Sequence, residues 1–290
     1  SRAVTIGDRA QQALGKEYCL SHLFNSPGNF TASKMRWVIE HEPEIAARAK
    51  YLMLPGDFIA YKFTGCTHTT ASGLSEGILW DFKNEEPSSA LLSHYGISPK
   101  MLPEIVPSFG VQSRVLPEVA RELGIAESAV ISYRAGDQQN NALSLNVLNP
   151  GELAATAGTS GVVVGIGDEK RADPRSRVNI FLHVNHTPSA PRYCTLLCVN
   201  GTGILNSWLR QNVSNGLTYK EMDTIAESVP VGADGVSILP YGNGAERSLE
   251  NRFPGASIHG VQFTRHGREH LFRAVQEGIV FSLVYGLEIM

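Results

Sequence analysis

Residues 129–166 limit the fold more than any other stretch of the chain. The apolar run Ala129-Val130-Ile131-Ser132-Tyr133 reads as a strand, since β-branched and aromatic residues favour a pleated, half-buried backbone. The turn Arg134-Ala135-Gly136-Asp137 and a small-residue helix over about 138–145 follow. Asn149-Pro150-Gly151 then interrupts any regular structure. Two apolar strands, over 153–157 and 162–166, are split by Gly158-Thr159-Ser160-Gly161, which is a hairpin signal. A strand–turn–helix followed by a breaker and a new hairpin places a domain boundary near Asn149-Pro150, giving domains 1–149 and 150–290.

The flanking sequence supports an α/β class with mixed sheets. Helices are expected over 8–24, from an N-cap at Thr31 to Ile39, from Pro43 to Ala49, and from Gly56-Asp57 to Thr64, ended by Gly65. Tyr51 to Leu54 reads as a short strand, 66–82 as a loop with short strands, and Pro87 to Tyr95 and Pro117 to Leu123 as helices. Pro99, Pro103 and Pro107 mark a long connection. Beyond the boundary, strands are expected over 178–184, 193–199, 235–239 and 256–263, with helices over 203–211 and from Arg268.

Composition narrows the function classes. With 42% hydrophobic and 18% charged residues the chain is ordinary globular protein, and a net charge of −3 offers no basic stripe for nucleic acid or an anionic membrane. No apolar stretch approaches the roughly 20 residues of a membrane span. Cys19, Cys66, Cys194 and Cys198 form no metal-ligand spacing. Cys194 and Cys198 fall in an apolar strand as buried thiols, and reduced thiols go with a cytoplasmic location. No metal ligands are assigned. Trp37, Trp80 and Trp208 read as core residues.

Two motifs carry chemistry. Asp137 stands at the carboxyl end of a strand where a helix begins, the place from which an acid faces the crevice of an α/β sheet. There it can take a proton from a hydroxyl, with Gln138 and Asn140 beside it to bond a polyol. An Asp in this place is also a common N-cap, so the motif alone leaves both readings open. Gly158-Thr159-Ser160-Gly161 offers backbone N–H groups and hydroxyls to an anion, or is a plain hairpin turn. It is neither a P-loop nor a nucleophile elbow.

Four separated stretches in order resemble the FGGY carbohydrate kinases, in particular their xylulokinase-like members. They are Thr31 to His41 with its Lys34 and Trp37, the segment Leu54-Pro55-Gly56-Asp57-Phe58-Ile59, the Asp137 and Gly158–Gly161 pair, and Ala256 to Val261 with His270 to Glu277. The resemblance implies a two-domain, actin-like and ribonuclease H-like ATPase fold with mixed sheets, truncated at both ends. Residues 1–149 would be the sugar-binding domain without its first strands, and 150–290 an incomplete nucleotide-binding domain.

It further implies ATP and Mg²⁺ as cofactors and the conversion of D-xylulose to D-xylulose 5-phosphate. Glycerol, gluconate, ribulose or fuculose stand as alternative substrates, and a non-catalytic sugar- or nucleotide-binding module as the alternative for this stretch. Asp137 matches the family's catalytic base, and Asp137-Gln138 its substrate-contacting pair. Gly158, Thr159, Ser160 and Gly161 match the hairpin at the ATP phosphates, and Gly203 a glycine near the ribose, with close helix packing as its other reading. The expected partners are a small sugar and ATP, with neither nucleic acid nor membrane, and with a homodimer left open.

The pattern is departed from in places. Asn29 replaces a residue beside the substrate, Gln276 replaces an apolar residue, and Gly242 to Ser248, which includes Glu246, matches loosely. The family's Asp-x-Gly-Thr phosphate loop, whose Asp helps hold Mg²⁺, is absent, as is its adenine-covering glycine segment. Both ends therefore read as cuts through a longer protein, and the 290-residue chain alone is expected to be a poor catalyst.

Overall fold

The computed structural model describes residues 1–290 except Asn29 and Glu246, so the expectations attached to those two positions lie outside the described residues. The chain forms two compact units. The first comprises Ser1–Glu152, Ile166–Pro174 and Ile180–Thr195, and the second Leu153–Gly165, Arg175–Asn179 and Leu196–Met290.

Up to Glu152 the helices are α1 (Val4–Leu14), α2 (Lys16–Tyr18), α3 (Thr31–His41), α4 (Pro43–Arg48), α5 (Pro55–Thr64), α6 (Ala71–Glu76), α7 (Ser89–Tyr95), α8 (Pro117–Leu123) and α9 (Asp137–Ser144). The strands there are β1 (His68–Thr69), β2 (Trp80–Asp81), β3 (Glu86–Pro87), β4 (Glu104–Ile105), β5 (Phe109–Arg114) and β6 (Val130–Tyr133). They pair as β1–β4, β2–β3 and β5–β6. After Glu152 come β7 (Leu153–Ala157), β8 (Gly161–Gly167), β9 (Asn179–Leu182), β10 (Tyr193–Val199), α10 (Thr202–Asn212), α11 (Tyr219–Glu227), β11 (Ser237–Tyr241), β12 (Gly255–His259) and α12 (Arg268–Leu287). Strands β7, β8, β10 and β9 make a four-stranded sheet in that order, and β11 pairs antiparallel with β12.

Most boundaries follow local chemistry. Pro55 opens α5, and Gly65, left-handed at φ 70°, ends it. Ser88 caps α7 by accepting from Leu91 N–H at 3.3 Å. The expected helix over 8–24 is instead broken at Gly15 and ends in a π-helical turn, Cys19–Leu23. Thr31 is the first residue of α3 and not its cap, a position held by Phe30. Tyr51–Leu54 is not a strand: Leu54 is extended because Pro55 disfavours the helical region before it, and the segment joins no ladder. Helix α6, capped by Thr70, arises where a loop with short strands was expected. Helix α11 is opened by a capping box between Thr218 and Glu221.

In the first unit the buried side chains include Leu23, Ile78, Leu91, Leu92 and Tyr95, and the Tyr95 hydroxyl meets Ser33 Oγ at 2.7 Å. The returning segment is stitched in by polar pairs. Asn25 donates to Ile180 O at 2.7 Å and accepts from Ile180 N–H at 2.9 Å. Ser72 donates to Leu182 O, and Ser75 accepts from Leu182 N–H, both at 2.9 Å. Helix α6 is thereby fixed along one side.

The second unit is centred on α12. Its Phe272, Ala274 and Val275 pack with Leu209, Met222 and Ile238. Gly278 lies so near the Ile238 carbonyl that a Cβ there would overlap it. Cys194 is buried in β10 as expected, whereas Cys198 is half-buried. Trp80 is buried, Trp37 stacks on His41 at 4.6 Å, and Trp208, expected in the core, is half exposed.

Candidate functional site

Strand β6 delivers the chain to the site, and a buried ion pair holds its end. Arg134 donates to Asp57 Oδ1 at 3.3 Å, to the His68 carbonyl at 2.8 Å and to Gln112 Oε1 at 2.9 Å. Thr69 donates to Asp57 Oδ2 at 2.8 Å. Burial pushes the Asp57 carboxyl above its ordinary range, while the Thr69 hydrogen bond and the Arg134 charge pull it back. A pair this buried survives only with its remaining hydrogen bonds made, and here they are. It ties α5, β1 and β5 to the residue from which α9 departs.

At that departure lies a cavity of about 360 Å³. Its wall includes Asp57, Thr70, Glu76, Arg134, Gly136 and Asp137. Asp137 is exposed and occupies the first position of α9, with Gly136 as the N-cap. The side chain of Asp137 accepts from its neighbour Gln138, from the backbone N–H at 2.9 Å and from Nε2 at 3.3 Å. Asp137 is therefore the first helical residue and not the N-cap, and one of its oxygens accepts from a first-turn amide of its own helix. Gln138 steers that carboxylate. Asn140 is engaged elsewhere, accepting from the Tyr133 hydroxyl at 2.6 Å.

Glu76, on the last turn of α6, is the residue that sequence reasoning missed. It stands in the same cavity wall, with Oε2 buried and without a hydrogen-bond partner. Burial, then the charges of Asp137 and Asp57, raise its carboxyl to about 7. A Cβ at Gly136 would overlap Glu76 Oε2, so the glycine makes room for this carboxyl. No linear motif announces it, and the one local signal is Thr70, which accepts from Gly73 N–H at 3.1 Å and starts the helix.

The second unit carries the other candidate residues, and it brings them together. The β7–β8 turn, Gly158 to Gly161, rests on the first turn of α10. Thr159 O accepts from Ile204 N–H at 3.1 Å, and Gly203 is so close to the Gly158 carbonyl that a Cβ would overlap it. The close-packing reading of Gly203 thus holds, and it joins Gly203 to Gly158 and Thr159. Alongside α10 lies an apolar cavity of about 480 Å³, lined by Ile204, Leu205, Trp208, Ile238 and Pro240 among others. Asp137 and Gln138 belong to the first unit, and Gly158, Thr159, Ser160, Gly161 and Gly203 to the second.

No group of three or more His, Cys, Asp or Glu among the described residues has the arrangement to hold a metal ion. The described residues do not by themselves make such a group for Mg²⁺, and no step is derived through that ion. No helix among the described residues is long and apolar enough to cross a membrane.

Comparisons with known proteins agree with the motifs. Residues 11–144 match the N-terminal domain of the FGGY family of carbohydrate kinases. The chain is 29% identical over 260 residues to a xylulose kinase of Bacillus subtilis (strain 168), covering 90% of this chain and 51% of that protein. It is also 29% identical over 263 residues to a gluconokinase of Bacillus licheniformis, covering 87% and 50%. The crystal structure of a xylulose kinase from Rhodospirillum rubrum superposes with a TM-score of 0.89 at 23% identity, over 100% of this chain and 58% of that one. The chain thus spans about half the length of the curated relatives it matches. The FGGY resemblance is borne out, and the fold is the expected actin-like, ribonuclease H-like α/β architecture.

Proposed function

With residues 11–144 forming an FGGY carbohydrate kinase N-terminal domain, we propose that the whole protein phosphorylates a sugar with ATP, converting D-xylulose to D-xylulose 5-phosphate. The observation that carries this reading is Asp137, a carboxylate at the start of α9 on the wall of a 360 Å³ cavity. That volume suits a small polyol. The first unit takes the sugar, and Asp137 accepts the proton of the attacking hydroxyl. As the new oxygen–phosphorus bond forms, the bond from the γ-phosphorus to the oxygen bridging it to ADP breaks.

In the second unit, the 158–161 turn presents the hydroxyls of Thr159 and Ser160 to the phosphates, together with backbone N–H groups other than that of Gly158, which is bonded to Ser160 O. Gly203, packed against the Gly158 carbonyl, would hold this turn in place beside the ribose. The apolar cavity beside α10 is of a size and character to take a nucleobase. Its contact with the hairpin's own helix supports the assignment. A cytoplasmic setting, where ATP and free sugar meet, accords with this reading.

The similarity to a gluconokinase makes gluconate the second substrate to test. The experiment is a turnover panel of D-xylulose, gluconate, glycerol, ribulose and fuculose on the full-length protein and on Asp137→Ala. D-xylulose should give the highest kcat/KM, and the substitution should lower turnover about 10²–10⁴-fold. An unchanged rate in Asp137→Ala removes the base from its role.

A further inference from the structure

We infer that Glu76 is a second substrate-binding residue of the Asp137 cavity, donating a hydrogen bond from its carboxylic acid to a hydroxyl of the bound sugar. The inference rests on the kinase reading above and deepens it.

Three observations lead there. Glu76 stands in the wall of the same cavity as Asp137. Its Oε2 is buried and has no hydrogen-bond partner, a position in which an ionised carboxylate is costly. The chain has also made structural provision for the carboxyl. Gly136 lacks the atom that would collide with it, and α6 is anchored through Ser72 and Ser75 to the backbone of Leu182.

The charges around Glu76 decide its protonation. From α5 comes Asp57, from α9 Asp137, and from the end of β6 Arg134, whose cation is paired with Asp57. From β10 comes Cys194, itself pushed up to about 12 by burial and then by Glu76. Two acids and one already neutralised cation leave Glu76 without a counter-ion. The carboxyl at about 7 is therefore neutral on the acid side of that pH and a donor, beside Asp137, whose two oxygens accept from Gln138. One cavity then offers a sugar both a donor and a base, a division of roles between two carboxyls that differing environments create.

The test is the pH dependence of sugar KM and kcat in the full-length protein at saturating ATP, for wild type, Glu76→Gln and Glu76→Ala. Ionisation of Glu76 removes the donor and adds a second negative charge, so wild-type KM should rise about tenfold from pH 6 to pH 8, with little change in kcat. Glu76→Gln, which keeps a donor but cannot ionise, should show the low KM at both pH values. Glu76→Ala should show a raised KM at both.

A flat wild-type KM across this range overturns the inference even if no variant folds. A Glu76→Gln profile parallel to the wild type does so too. If sugars are turned over and either of those results is found, only the role of Glu76 falls. If no sugar is turned over at any pH, the kinase reading falls and this inference with it.

Discussion

Alanine at position 136 would ask two atoms to share one place. Gly136 has an ordinary φ of −68°, so backbone freedom is not why glycine is needed. The need is for space, which the Glu76 carboxyl fills. Gly136→Ala should therefore cost about 1–3 kcal/mol of stability, as overpacked sites do, read as a lower urea midpoint at unchanged m-value. It should also raise sugar KM, because the displaced group is the proposed donor. Asp137 was legible in the sequence because strand, turn and helix are local patterns, and an acid at their junction is conspicuous. Glu76 was not, because its environment comes from α5, α9 and β10, all remote in sequence. Linear reading sees an acid in a loop, whereas burial makes it a weak one.

Among the elements, β6 and α9 depend on a pair of charges. Arg134→Met would leave Asp57 buried with no cation and should cost about 3–5 kcal/mol at neutral pH, measured by denaturant unfolding. The sign of its pH dependence follows from Asp57. A carboxyl already held above its ordinary range moves further up when Arg134 is lost, so the mutant recovers relative stability as pH falls and Asp57 takes up a proton. A loss that does not shrink toward acid pH would show that the ion pair is not what holds β6.

Elements with strong local signals, such as α5 between Pro55 and Gly65 or the β7–β8 hairpin, were legible. Strand β5 was not. Its sequence, Phe-Gly-Val-Gln-Ser-Arg, lacks alternation, and the strand exists because β6 pairs with it in the register Ser113 to Ile131. Tyr51–Leu54 is the opposite case, apolar enough for a strand, but its backbone bond from Leu52 N–H to Met101 O at 2.8 Å is not continued into a ladder.

For the molecule as a whole, binding and folding are linked. A sugar that binds only the native state should stabilise the full-length protein by about 2.7 kcal/mol at a hundred times its Kd. Calorimetric scans with D-xylulose should show this in the wild type, and an unshifted Tm would count against sugar binding. The α/β class was readable at this scale from alternating strands and helices. The return of 166–174 and 180–195 to the first unit was not. Asn25 and Ile180, which bond each other across 155 positions, carry no mark of it in the sequence.

In the second unit, two helices approach other elements through glycine, main chain against main chain: α10 at Gly203 on the hairpin and α12 at Gly278 on β11. Around them the helices pack through side chains, but at these two points the glycines leave no gap between the main chains. A rearrangement that reaches the 158–161 turn must carry the start of α10 with it, so ordering at one is transmitted to the other as a rigid displacement.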